Sequence, residues 1–270
     1  MMNIWYVLLG ASIIASTAGI VGVWLVLRKE ALRGDVVSHS VLPGLCAAFW
    51  LFQEKNLFVL LIGASVSAFL SLWVMDFLQE RSKLKKDTLM AIILVFFFAL
   101  GLWILIKIQY LGNSAQSGLD SFLFGKAASI LPQDVWIALI VFLIVAFANF
   151  FMQKWLFWTT FDPEFSKSIA LSPKIANYTL TFLSIMAIVL GLQAVGVVMM
   201  SALLITPASI AIALVRTSLS KIFLLSVLIN LVVVFLGTLL SYYFPKSPTG
   251  PWIVVICSFL AFGVFFIRKQ

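Results

Sequence analysis

The chain has 270 residues, of which 63% are hydrophobic and 10% charged, with a net charge of +8. A soluble domain carries about a quarter charged residues, so this composition excludes an ordinary water-soluble fold. It also excludes nucleic acid as partner, because the basic residues lie at the ends of apolar runs and in short loops, the distribution expected of a membrane protein.

The first apolar run, 4–27, contains no charge. It lacks a basic stretch in front of it, so it reads as a retained first span and not as a cleaved leader. Further spans are expected at 36–53, 57–78, 88–107, 135–157, 175–192, 194–215, 222–244 and 251–267. Runs of about 18 or more apolar residues form transmembrane helices, which satisfy their own backbone in lipid. The fold class is therefore all-α: a polytopic membrane protein of eight to nine helices, with 1–270 as one transmembrane domain. Little but the stretch from Gly191 to Gly196 divides the pair at 175–215.

Basic residues orient the spans. Arg28, Lys29 and Arg33 follow the first; Arg81, Lys83, Lys85 and Lys86 follow the third. Lys154, Lys167 and Lys174 flank the loop after the fifth, Arg216 and Lys221 follow the seventh, and Arg268 and Lys269 close the chain. With nine spans, this alternation puts the N-terminus outside and the C-terminus in the cytoplasm of a cell membrane. Between the fourth and fifth spans, "DSFLFGKAASI" (120–130) is too polar and too short to span and is expected as a short helix lying at the outer surface or re-entering the protein. Cys46 and Cys257 fall in apolar segments and read as core residues.

Two positions break the apolar pattern with chemistry. Asp35 and His39, the chain's single histidine, are spaced i, i+4 in "GDVVSHSVLPG" (34–44). On a helix the two side chains share one face, and carboxylate plus imidazole suits divalent first-row metals. The competing reading makes Asp35 an N-cap and His39 a core histidine bonded to Ser38 or Ser40. One Asp and one His are too few ligands for a metal, but two copies about a two-fold axis supply four. Pro43 and Pro207 each stand in an apolar stretch beside a small residue and are expected to interrupt their helices. Ser38, Pro43, Gly44, Thr206 and Pro207 are the candidates to line a path for the ion.

"FDPEF" (161–165) reads as a helix start: Asp162 as N-cap, Pro163 at the first position, Glu164 at the positive end of the dipole. A short helix over 163–170 is expected there. The chain has no Gly-x-x-x-x-Gly-Lys-Ser/Thr loop, so it does not itself bind nucleotide phosphates in that manner. A secondary metal/proton transporter fits less well, because Asp76, Asp87 and Asp134 sit at span edges instead of forming a relay. A zinc protease on a helix needs His-Glu-x-x-His, and one histidine cannot supply it.

"GDVVSHSVLPG" resembles the signature of permease subunits in manganese/zinc/iron-type ABC importers. "KDTLMAIILVFFFALG" (86–101), "DSFLFGKAASI", "FDPEFSKSIALSP" (161–173), "QAVGVVMMSALLITPASIA" (193–211) and "SPTGPWIVVICSFLAF" (247–262) resemble the family's other segments, in order along the chain. The resemblance implies a homodimeric permease with two cytoplasmic ABC ATPase subunits and an extracytoplasmic metal-binding protein. It implies that Asp35 and His39 bind manganese, zinc or iron in transit, with no permanently bound cofactor. It also implies that Phe161, Asp162, Pro163, Glu164, Phe165 and Lys167 form the helix that couples to the ATPase.

Overall fold

The computed structural model describes residues 4–53, 56–110, 132–169, 172–215, 218–244 and 249–268. The short helix expected at 120–130 lies outside these residues. The elements are α1 (Ile4–Leu27), α2 (Leu32–Phe52), α3 (Leu57–Arg81), α4 (Lys86–Tyr110), α5 (Pro132–Phe161), α6 (Pro163–Ser168), α7 (Pro173–Val195), α8 (Val197–Leu214), α9 (Leu219–Tyr243) and α10 (Thr249–Arg268). Eight of the described helices are long and apolar enough to cross a membrane. The remaining long one, α8, has 18 residues and reaches about 27 Å, just under the ~30 Å hydrocarbon thickness. The ambiguity between eight and nine spans is thus confined to this helix.

The helices form two packed groups. α1 is the hub of the larger one and touches α5, α7, α8 and α9; α10 packs on α8 and α9. The smaller group is α2 against α3 and α4, and it joins the larger through contacts of α2 and α3 with α7 and of α2 with α8. Small residues set the closest crossings, as is usual where lipid removes the hydrophobic drive for helix association. A Cβ on Gly44 would sit 2.1 Å from the Gly63 carbonyl oxygen, and one on Gly63 would sit 2.5 Å from that of Gly44. A Cβ on Gly22 of α1 would fall 1.8 Å from the Leu204 carbonyl oxygen of α8. The outward faces carry large apolar side chains such as Phe58, Phe69, Phe147, Phe150 and Phe259, suited to lipid contact.

The basic ends gather on one side. Arg28 after α1 bonds to Thr159 and Thr160 at the end of α5 and to Asn177 early in α7. Glu30 meets Lys86 at the start of α4. These contacts bring together three of the basic loops, those after α1, α3 and α5.

Three expectations change. The second helix begins at Leu32, not 36, so Asp35 lies inside its first turn; the N-cap is Ala31 with no side-chain cap bond. The Asp35 N-cap reading therefore fails: Leu32, Arg33 and Gly34 already continue the helix. The expected breaks at Pro43 and Pro207 are also absent, since α2 and α8 run through them. Proline removes one backbone N–H and frees the carbonyl four residues earlier. At Pro207 the freed carbonyl is that of Leu203, and buried Asn230 of α9 donates to it from Nδ2 at 3.2 Å. Finally, the 163–170 helix ends at Ser168. The real break in the 175–215 pair is Gly196, whose φ of 86° joins α7 to α8, a conformation glycine adopts without a Cβ penalty.

The Asn230 contact makes a testable pair. Asn230→Ala should leave the Leu203 carbonyl unpaired and cost about 1–3 kcal/mol. Adding Pro207→Ala, which restores the helical N–H, should recover part of that loss. Thermal unfolding in detergent of both single variants and the double variant measures the coupling.

Candidate metal-transfer site

α2 is buried on most of its circumference. Val36, Val37, Ser38, Ser40, Val41, Leu42, Pro43, Leu45 and Cys46 are all covered by neighbouring helices. Asp35 and His39 are half-buried and share the open stripe with Leu32 and Trp50, which are exposed. Helical spacing places these four residues on one side. The pair lies within the first three turns, with His39 about 10 Å along the axis from the first residue of α2. The His39 ring packs edge-on against Phe98 of α4 at 4.9 Å between centroids, which fixes the imidazole plane.

Ser38 and Ser40 do not cap the histidine. Their hydroxyls and His39 Nδ1 are buried without a hydrogen-bond partner among the described residues. Successive helical residues point about 100° apart, so Ser38 and Ser40 face away from each other and, of the three, only His39 stands on the open stripe. Among the described residues no group of three or more His, Cys, Asp or Glu side chains converges on a metal position.

The other path candidates have structural duties. Gly44 lets α2 approach α3, and Pro43 sits where a Cβ on Gly101 of α4 would strike its ring at 2.9 Å. Thr206 is hydrogen-bonded to the buried Cys257 thiol of α10. Pro207 is buried in α8. The structure does not bring Thr206 and Pro207 onto the open stripe of α2. Leu204 of the same helix does touch its base, 3.2 Å from where a Gly34 Cβ would stand.

Behind the stripe lies a charged cluster that span hydropathy hid. Arg33 is 1% exposed and its guanidinium bonds to Glu30 Oε2 and Thr181 Oγ1, each at 2.5 Å. Asp76 of α3 is 3.7 Å from it, and Lys86 reaches Glu30 Oε1 at 2.5 Å. Burial alone would raise the Glu30 carboxyl above its ordinary range, but Arg33 and Lys86 together outweigh it and hold it below. The i, i+3 spacing of Glu30 and Arg33 was the available signal; counting loop charges for orientation passed over it.

The coupling candidate is built as its sequence directs. Asp162 Oδ1 accepts from the Phe165 amide at 2.9 Å, Pro163 opens α6, and Glu164 lies in its first turn. Phe161 and Phe165 remain 53% and 41% exposed, although Phe165 leans on Trp158 at 4.7 Å. Lys167 is exposed beside them. Phe161, the last residue of α5, and Phe165 of the six-residue α6 are thus both exposed at the junction of the two helices.

This bundle, with an ionisable pair on the open side of a buried helix, is that of a multi-pass membrane permease. The chain belongs to the ABC 3 transport family, whose sequence profile matches residues 1–268. It is 36% identical over 264 residues to the manganese transport system membrane protein MntC of Bacillus subtilis, covering 96% of this chain and 59% of that one. It is 35% identical to the zinc transport system membrane protein TroC of Treponema pallidum, covering 98% and 88%. Its fold matches PsaBC from Streptococcus pneumoniae, solved in complex with Fab, with a TM-score of 0.83, 28% identity and coverage of 97% and 91%. The chain is a membrane component of an ABC transporter; the family match gives the secondary-transporter alternative no support.

Proposed function

We propose that two copies of this chain meet along the open stripe of α2 and pass a divalent manganese, zinc or iron ion between them. Asp35 and His39 of each copy supply the ligands, two carboxylates and two imidazoles, a set that accepts these metals. Residues 1–270 serve as one transmembrane permease domain. The observation that carries this reading is the shared, half-buried face of Asp35 and His39 on a helix most of whose other residues are covered, with His39 Nδ1 lacking a hydrogen-bond partner among the described residues. The names of the manganese and zinc relatives agree with the ion class. The α5–α6 junction offers Phe161 and Phe165 to a cleft on a separate cytoplasmic ATPase, with Asp162, Pro163 and Glu164 shaping α6 and Lys167 at its rim. An extracytoplasmic binding protein delivers the ion to the outer face. ATP-driven closure of two ATPases would shift the permease between two states.

The test is uptake by proteoliposomes holding the permease, its ATPase and its binding protein. Uptake of one of the three metals should require ATP and persist with an uncoupler present. Uptake without ATP that an uncoupler abolishes would restore the secondary-transporter reading. Competition among manganese, zinc and ferrous iron then identifies the cargo.

A further inference from the structure

The first basic loop links the coupling helix to the ligand helix through one side chain. Arg28 Nε donates to Thr160 Oγ1 at 3.0 Å, Nη2 to Thr159 Oγ1 at 2.9 Å and Nη1 to Asn177 Oδ1 at 2.6 Å. Thr159 and Thr160 close α5, Asn177 lies early in α7, and α6 is strung between them. One planar guanidinium therefore grips both supports of α6, a geometry that the rigid five-donor fork of arginine allows and lysine does not. Both threonines are themselves pinned, since their hydroxyls donate to α5 carbonyls, Thr159 to Trp155 and Thr160 to Leu156.

The other side of the link is equally stiff. α1 ends in a Schellman closure: Glu30 N–H bonds to the Leu25 carbonyl at 2.8 Å and Lys29 N–H to that of Val26 at 3.0 Å, with Lys29 at φ 58°. Arg33 N–H then bonds to the Glu30 carbonyl at 2.9 Å as α2 begins. The Arg33 side chain ties this base to Thr181, one turn beyond Asn177 on α7. Asp35 follows in the same turn of α2.

We propose that Arg28 is a positioning residue for transport: it carries displacement of α6 through the 28–33 segment to the base of α2, and so moves Asp35 and His39. This rests on the reading of α6 as the ATPase-docking element. The bare alternative is a staple that only holds α1, α5 and α7 together. The two differ in what they do to energy coupling, because a staple does not set how many ATP molecules are spent per ion.

The experiment uses the complete transporter in proteoliposomes, with metal uptake, ATP hydrolysis and subunit assembly measured on one preparation. Arg28→Ala should raise the ATP hydrolysed per ion imported by about tenfold, within the range by which coupling mutations act, with the complex still assembled. Arg28→Lys, which keeps the charge but not the fork, should fall between. If Arg28→Ala does not assemble, the double variant Thr159→Ala with Thr160→Ala, which retains the cation, is read by the same ratio. An unchanged ratio overturns the proposal, whether activity is normal or uptake and hydrolysis decline together. Phe161→Ala with Phe165→Ala separates the underlying reading. If that variant keeps its ATPase and its ratio, the docking role of α6 fails and the lever with it; if it loses the ATPase while the Arg28 ratio is unchanged, only the lever fails.

Discussion

Asp35→Ala and His39→Ala are each expected to bring metal uptake down to the level of vesicles without permease, while the ATPase still copurifies. The magnitude follows from the ligand count. Removing a residue that merely orients a metal ligand already costs about 10–100-fold in affinity or activity. A direct ligand costs no less, and the two-fold axis removes it twice. Neither residue holds the fold together: both are half-buried on the open stripe, and Asp35 does not cap the helix. The variants should therefore reach the membrane and unfold near the wild-type temperature. Asp35→Asn is the sharper control, because it keeps the shape and removes the charge. Uptake at wild-type rate in Asp35→Ala and His39→Ala would take the pair out of the path.

Arg33→Met should produce the largest loss of stability. It leaves the Glu30 carboxylate, 3% exposed, with Lys86 as its remaining ion-pair partner. Breaking a buried pair from one side costs about 3–5 kcal/mol, because the surviving charge stays desolvated. Glu30→Gln in the same chain should return part of this, since the charge left behind is then gone. Thermal unfolding in detergent, scored by a fluorescent thiol or tryptophan signal, measures both variants. The pH dependence has a definite sign. Arg33 and Lys86 hold the folded Glu30 below its ordinary value of 4.5, so its stabilising contribution is complete above 4.5 and is lost as pH falls through the lower folded value. Wild type should thus lose more stability on acidification than Glu30→Gln, and equal losses would refute the ion-pair account.

Much of this was legible in the residues because lipid imposes a simple rule. Uncharged runs had to be helices, and the Arg28 and Glu30 contacts gather the basic loops after α1, α3 and α5 on one side. "FDPEF" announced its own cap and first turn because capping is local chemistry. What was not legible depended on neighbours. Pro207 was expected to break α8, yet Asn230, 23 residues further along and on another helix, supplies a donor to the freed carbonyl. Asp35 offered a plausible cap, but the helix has already begun at Leu32, with Arg33 in its first turn held by Glu30 and Thr181. Gly44 was a candidate to line the ion path; its missing side chain is used against Gly63. The i, i+4 spacing of Asp35 and His39 set their shared face, whereas the openness of that face came only from how α3, α4, α7 and α8 surround α2.

The most direct measurement is the metal content of the purified, assembled transporter at saturation, by equilibrium dialysis and elemental analysis. A cage shared between copies should hold one tightly bound ion per two permease chains, and His39→Ala in both copies should empty it. One ion in every chain, or an undiminished content in the His39→Ala protein, would contradict it.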